Sequence, residues 1–144
     1  MTIRRATAAD INALARLIVL DTPAAGSVRG FAADLTGWWN EHHSTHHAFV
    51  AQVDDSIVGM AWVALLPRVA RPGATSRLSA DIQTVFVIPD HRRTGIGSAL
   101  VEAAAQHATR LGASRVTVHS GRRAVSLYEG LGFRSSPQLL KRES

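Results

Sequence analysis

The chain has no cysteine, which excludes a disulfide framework, a thiolate metal site and a cysteine nucleophile. It has almost no lysine: Lys141 is the only one, and every other cation is an arginine. Nor does it have a long hydrophobic run. The longest nearly unbroken stretch, Ile57 to Leu66, is far short of the roughly 20 residues that span a bilayer. The opening residues Met1-Thr2-Ile3-Arg4-Arg5 lead into a mixed polar segment rather than an apolar signal core. Cytoplasmic residence and no membrane partner are therefore expected. Repeats, low-complexity tracts, linker-like segments and blocks of like charge are also missing. One domain over residues 1–144 is expected, and a nucleic-acid-binding arm is not.

What is present is an ordinary globular balance of 46% hydrophobic and 19% charged residues, too apolar for intrinsic disorder. The net charge is +5 and is carried by arginine. Guanidinium makes planar, bidentate contacts with phosphate, so a basic domain of this kind favours an anionic ligand.

Hydrophobic periodicity sets the order of elements. Thr2 to Arg5 reads as a strand. Thr7 and Asp10 approximate a capping pair for a helix from Ala8 to Leu20. Asp21 to Gly26 reads as a turn. Val28 to Glu41 reads as a second helix with Phe31, Leu35, Trp38 and Trp39 on its apolar positions. Ala48–Val53 and Ile57–Leu66 form a hairpin pattern around Asp54-Asp55-Ser56. Pro67 to Arg77 is a loop. Ala80 to Ile88 is a strand apolar on both faces near its end, which implies a covered position. A helix from Gly95 to Leu111 has the stripe Ile96, Leu100, Ala103, His107 and Leu111, and Gly112 ends it. Arg115 to His119 is a strand, Arg122 to Leu131 a helix, and Phe133 to Lys141 a final, interrupted strand. The order β-α-α-β-β-β-α-β-α-β predicts an α/β domain with a mixed sheet flanked by helices.

One segment carries more chemistry than the rest. In Val85-Phe86-Val87-Ile88-Pro89-Asp90-His91-Arg92-Arg93-Thr94-Gly95-Ile96-Gly97-Ser98, a buried strand turns into a helix opened by glycines. A helix N-terminus presents unpaired N–H groups and a partial positive charge. Glycine at 95 and 97 removes the Cβ atoms that would hold a diphosphate away from those amides, and Arg92 and Arg93 add charge. A pyrophosphate ligand is expected. The dinucleotide fingerprint would need a third glycine where Leu100 stands, and the Gly-Lys-Ser/Thr of a P-loop is absent.

The run Arg92-Arg93-Thr94-Gly95-Ile96-Gly97 resembles the Arg/Gln-x-x-Gly-x-Gly/Ala loop of the GNAT superfamily of acyl-CoA-dependent N-acyltransferases. A second run, Ala124-Val125-Ser126-Leu127-Tyr128-Glu129-Gly130-Leu131-Gly132-Phe133, is similar to that family's Ala-x-x-Leu-Tyr-Glu-x-x-Gly-Phe element. With the order of elements, the resemblance covers nearly the whole chain. It implies a single-domain fold with two splayed central parallel strands, Ala80–Ile88 and Arg115–His119. It implies acetyl-CoA as cosubstrate, its pyrophosphate on Arg93, Gly95, Ile96, Gly97 and Ser98, with Arg92 beside them. The pantetheine arm would lie along Gln83 to Val87, on the backbone of Val85 and Val87. Tyr128 would give a proton to the departing thiolate. Many relatives carry an asparagine where this chain has Gly121.

The acceptor side is less legible. An amine nucleophile must lose a proton, because a lysine-like amine has a pKa of about 10.4. A common family glutamate corresponds here to Gln83, which cannot act as a base. Asp81, two residues away and the only carboxylate on that strand, is the candidate base or amine anchor. Trp38, Gln83 and His119 are the candidate acceptor contacts. Glu41-His42-His43-Ser44-Thr45-His46-His47 has a spacing that fits no metal site, so no metal is expected. Arg68, Arg71 and Arg77 in the Pro67–Arg77 loop would make a cationic wall, which favours a neutral or acidic acceptor over a polyamine. The expected activity is transfer of an acetyl group from acetyl-CoA to a primary amine of a small molecule, amino acid or peptide. The alternative is an acyl-CoA-binding module with little or no catalysis. A homodimeric assembly is left open.

Overall fold

The computed structural model describes residues 1–22, 28–121 and 124–144. The elements are β1 (Thr2–Arg5), α1 (Ile11–Asp21), α2 (Val28–His42), β2 (His46–Val53), β3 (Ser56–Pro67), β4 (Leu78–Val87), α3 (Ile96–Arg110), β5 (Ala113–Val118) and α4 (Val125–Gly130). The anticipated turn from Asp21 to Gly26 falls mostly outside the described residues, as does the anticipated helix start at Arg122. No helix among the described residues is long and apolar enough to cross a membrane.

The entry into α1 shows how the local sequence builds structure. A single turn of tighter helix, Ala8–Asp10, precedes it. The Asp10 carboxylate accepts the Thr7 N–H at 2.8 Å and pairs bidentately with Arg4 of β1 at 2.8 and 2.9 Å. The cap therefore also ties the helix to the sheet. Arg4 holds the Asp10 carboxyl below its usual range, chiefly by these hydrogen bonds.

The five strands lie in the order β1-β2-β3-β4-β5. The first four pair antiparallel, and β5 joins β4 in parallel. The parallel pair thus sits at one end of the sheet, not at its centre. The reason is that Phe133 to Lys141 does not form the anticipated last strand. Pro137 has no N–H to give a ladder. Around it the chain turns instead, with Leu139 N–H donating to Ser136 O and Gln138 N–H to Ser136 Oγ, both at 3.3 Å. Leu139 and Leu140 stay exposed.

Strand alternation divides the sheet's side chains between two cores. Phe49, Ala51, Val58, Ala61, Val63, Ala80 and Ile82 pack with Ile96, Leu100, Val101, Ala104 and Ala108 of α3. Ala48, Val50, Met60, Trp62 and Phe86 pack with Ile11, Leu14, Leu17 and Leu35 of α1 and α2. The α3 stripe is wider than the anticipated one: Ile96, Leu100 and Ala103 pack toward the sheet as expected, Val101, Ala104 and Ala108 join them, and Leu111 is exposed. Small alanines let the helix lie close. Gly59 on β3 serves the same approach, since a Cβ there would lie 3.0 Å from Leu100 Cδ1 and 3.2 Å from Phe86 O.

Candidate active site

The site begins with a break in period on β4. Ala80 and Ile82 face the α3 core, so strict alternation would send residues 84 and 86 there too. Instead Val85 and Val87 pack on that core and Phe86 on the other. The register explains this: Val63 pairs with Ile82 and Trp62 with Thr84, which leaves Gln83 as the extra residue of a bulge. At the same level the parallel ladder to β5 ends, its last pairs being Asp81 with Thr117 and Ile82 with Val118. From Gln83 to Val87, β4 has no strand on its β5 side among the described residues. The ladder stops because β5 itself ends at Val118, and a peptide-like arm could pair with the β4 edge beyond it.

The open edge points toward the start of α3. Arg92 sits between them: its Nε donates to Val87 O at 2.8 Å, and its guanidinium lies 5.4 Å from the centroid of Phe86. Arg93 has a positive φ of 63°, and Gly95, at the helix cap, one of 86°. The first intrahelical bond falls on Ala99, whose N–H donates to Gly95 O at 3.0 Å. The amides of Ile96, Gly97 and Ser98 are left to face outward. A Cβ at Gly95 would meet nothing within 4 Å, and one at Gly97 only Val87 Cγ2 at 3.9 Å. Nothing in the fold itself requires glycine at 97. The cradle is open where a pyrophosphate would rest, so the residues present fit the ligand.

Tyr128, on α4, packs edge-on against Phe133 at 5.6 Å and against the α3-side core that includes Val85 and Val118. Burial raises its phenol pKa, so the group is a protonated donor at neutral pH. Asp81 faces the other way. Its partner across β3 is Ala64, which by alternation shares the face of Trp62. The Asp81 carboxylate accepts the Thr117 hydroxyl at 2.9 Å. A phenol and a carboxylate thus flank the end of the parallel ladder from opposite faces of the sheet.

The acceptor-side face is aromatic. Trp38 stacks on His42 at 4.4 Å and meets His46 and Trp62 edge-on at 5.0 and 5.9 Å. Trp62, its N–H buried and without an acceptor among the described residues, also meets Trp39 at 6.0 Å. His46, Ala64, Asp81 and Thr117 lie in one cross-strand row. This row includes two residues that the sequence reading did not single out, His46 and Thr117. Desolvation first, then the neighbouring His42, lowers the His46 pKa, so its ring is neutral. The histidine tract divides between these ring contacts and a second pair, His47 with His107, away from the row. Among the described residues no three metal-ligating groups converge. Gln83 and His119 are both exposed, Gln83 at the bulge and His119 just past the end of β5.

An open strand edge that leads to helix amides defines an α/β domain suited to a long, phosphorylated, peptide-like ligand. The family model described as Acetyltransferase (GNAT) family matches residues 11–133. The chain belongs to that family of acetyltransferases. It is 30% identical over 93 residues to a glucosamine 6-phosphate N-acetyltransferase from Trypanosoma brucei brucei, a match spanning 65% of this chain and 61% of the relative. Its fold matches an acetyltransferase from Trypanosoma brucei, with a TM-score of 0.79, 23% identity and 99% of each chain covered. It also matches a protein from Clostridium acetobutylicum, described as a predicted acetyltransferase and solved with acetyl-CoA. There the TM-score is 0.75, the identity 15%, and 99% of this chain and 95% of the other are covered.

Proposed function

We propose that the chain is an N-acetyltransferase that moves an acetyl group from acetyl-CoA to a primary amine of a small molecule, amino acid or peptide. The observation that carries this is the open edge of β4 at Gln83–Val87, aligned with the free amides at the start of α3. Pantetheine carries amides that suit such an edge, on Val85 and Val87. Pyrophosphate suits the amides of Arg93, Gly95, Ile96, Gly97 and Ser98, with Arg92 bracing the turn beside them.

Acetyl-CoA supplies an activated thioester. The amine forms a bond to its carbonyl carbon, and the carbon–sulfur bond breaks. Asp81, held by Thr117, anchors the incoming ammonium and takes its proton. Tyr128, kept protonated by burial, gives a proton to the departing sulfur from the opposite face. The ammonium loses one proton to Asp81 before attack and the nitrogen a second to water as the amide forms; the sulfur takes one from Tyr128, which regains it from solvent, so one proton is released overall. Trp38 and the bulge residue Gln83 line the acceptor side, with His119 at the mouth of the open edge.

A panel of amines with detection of released thiol tests this. Glucosamine 6-phosphate belongs in it because a relative is named for that substrate. Thiol release that depends on one class of amine is the expected result. Acetyl-CoA binding without thiol release from any amine would leave a binding module.

A further inference from the structure

The loop between β3 and β4 is built, not loose. Arg68 N–H donates to Arg77 O at 2.8 Å, and Arg77 Nη1 to Val69 O at 2.6 Å. Arg71 and Ala74 exchange backbone bonds at 3.0 and 2.8 Å around a turn in which Gly73 has φ 77°. The braced loop encloses a surface cavity of about 450 Å³ lined by Leu66, Arg68, Val69, Arg71 and Arg77.

The charge in this cavity is uncompensated. The Arg77 guanidinium is held below its usual pKa, first by desolvation and then by the charges of Arg71, Arg68 and Arg115. Three further guanidinium groups therefore sit within electrostatic reach of Arg77, two of them, Arg68 and Arg71, lining the same cavity. Among the described residues the ion pairs are Arg4–Asp10 and Lys141–Glu143, so no carboxylate neutralises any of the four. Clustering like charges costs free energy unless an anion joins them.

Position gives the cavity a role. Leu66 alternates onto the same face as Ala64 and Trp62. Arg115 lies in the β5 bulge between the Leu78–Ala113 and Ala80–Val116 pairs, next to Val116 on the α3 side, and its charge reaches Arg77. Leu66, which lines the cavity, and Asp81 thus share one face. From the Ala64–Asp81 pair to the Pro67–Leu78 pair is three residues, roughly 10 Å along the strands.

We propose that Arg68, Arg71, Arg77 and Arg115 form a phosphate-binding site for the far end of the acceptor, so that the substrate is a phosphorylated amine. This rests on the acetyltransferase reading for its second half only; the anion site stands by itself. Guanidinium forks accept the several oxygens of a phosphate. The exposed Leu66 and Val69 at the rim suit the carbon skeleton between phosphate and amine.

The test uses the full chain, saturated with CoA to occupy the start of α3, in amide NMR titrations with inorganic phosphate. Shifts are expected at Leu66–Leu78 and Arg115. They should need roughly tenfold or more phosphate in the double variant Arg68→Gln, Arg71→Gln, since among the described residues the loop's side-chain hydrogen bond comes from Arg77 and not from these two. Shifts absent from this segment, or unchanged in the variant, would overturn the site. The second arm compares glucosamine 6-phosphate with glucosamine. The phosphorylated amine should bind about tenfold or more tightly to the native chain and no more tightly to the double variant. Equal binding to the native chain would overturn the acceptor role. Failure of CoA to bind in the same spectra would count against the acetyltransferase reading and leave the phosphate result intact.

Discussion

In the proposed reaction Tyr128 and Asp81 divide the proton transfers between them, and each can be isolated by a substitution that keeps its shape. Tyr128→Phe keeps the ring on Phe133 and deletes the proton. Turnover should fall roughly 10²-fold or more while acetyl-CoA affinity holds. A fully active variant would show that the thiolate leaves without the phenol. Asp81→Asn keeps the contact with Thr117 and removes the negative charge. Turnover should again fall by about 10²-fold, and adding amine already deprotonated at high pH should recover part of it. An unchanged pH–rate profile would remove Asp81 from the role. Both residues were legible in the sequence as types on elements, since Tyr128 lies in a motif and Asp81 is the sole carboxylate of its strand. Their opposite faces were not legible, nor was the row His46–Ala64–Asp81–Thr117. Those depend on cross-strand register and on the bulge at Gln83, which no local pattern encodes.

At the scale of elements, α3 is the member most constrained from both sides. Its sheet-facing stripe holds the anticipated Ile96, Leu100 and Ala103 but also Val101, Ala104 and Ala108, which the sequence pattern did not pick out, while the anticipated Leu111 is exposed. Alanine carries little hydrophobic signal, so a stripe selected for close approach reads faintly. Gly59→Ala puts a methyl 3.0 Å from Leu100 Cδ1 and 3.2 Å from a carbonyl oxygen. It should cost about 1–3 kcal/mol in thermal or denaturant unfolding. Gly97→Ala, with 3.9 Å of clearance, should leave stability unchanged and weaken acetyl-CoA binding. A stability loss at 97 as large as at 59 would contradict the account of the cradle.

The far end of α3 meets β2 through His47 Nδ1 and His107 Nε2, 2.8 Å apart. One ring must donate and the other accept, so the contact needs both neutral or one charged at most. Burial lowers both pKa values; the Arg5 charge adds to this at both, His107 at His47 and Arg110 at His107. The unfolded chain then binds protons that the folded chain refuses. Stability should be full above the ordinary histidine value near 6.5 and fall as pH drops below it, until the folded values are passed. Thermal melts from pH 8 to pH 5 would show this, with a shallower fall in His107→Gln. Identical pH dependence in that variant would remove the pair as its source.

For the whole molecule, the element order from β1 to α4 was legible because each element carries its own period. The last strand was not. Phe133–Lys141 has strand-like apolar residues, but Pro137 and the Ser136 turn divert the backbone, and β5 remains the sheet edge. In the proposed complex acetyl-CoA lies along the open edge of β4 with its pyrophosphate on the amides of α3. The direct measurement is the set of backbone amides that shift on adding acetyl-CoA, read together with calorimetric affinity in native chain and Gly97→Glu. Shifts should centre on residues 83–87 and 93–98, and the glutamate, placing bulk and negative charge where phosphate rests, should abolish binding in a folded variant. Shifts confined to other elements, or an unchanged affinity in folded Gly97→Glu, would contradict the assignment.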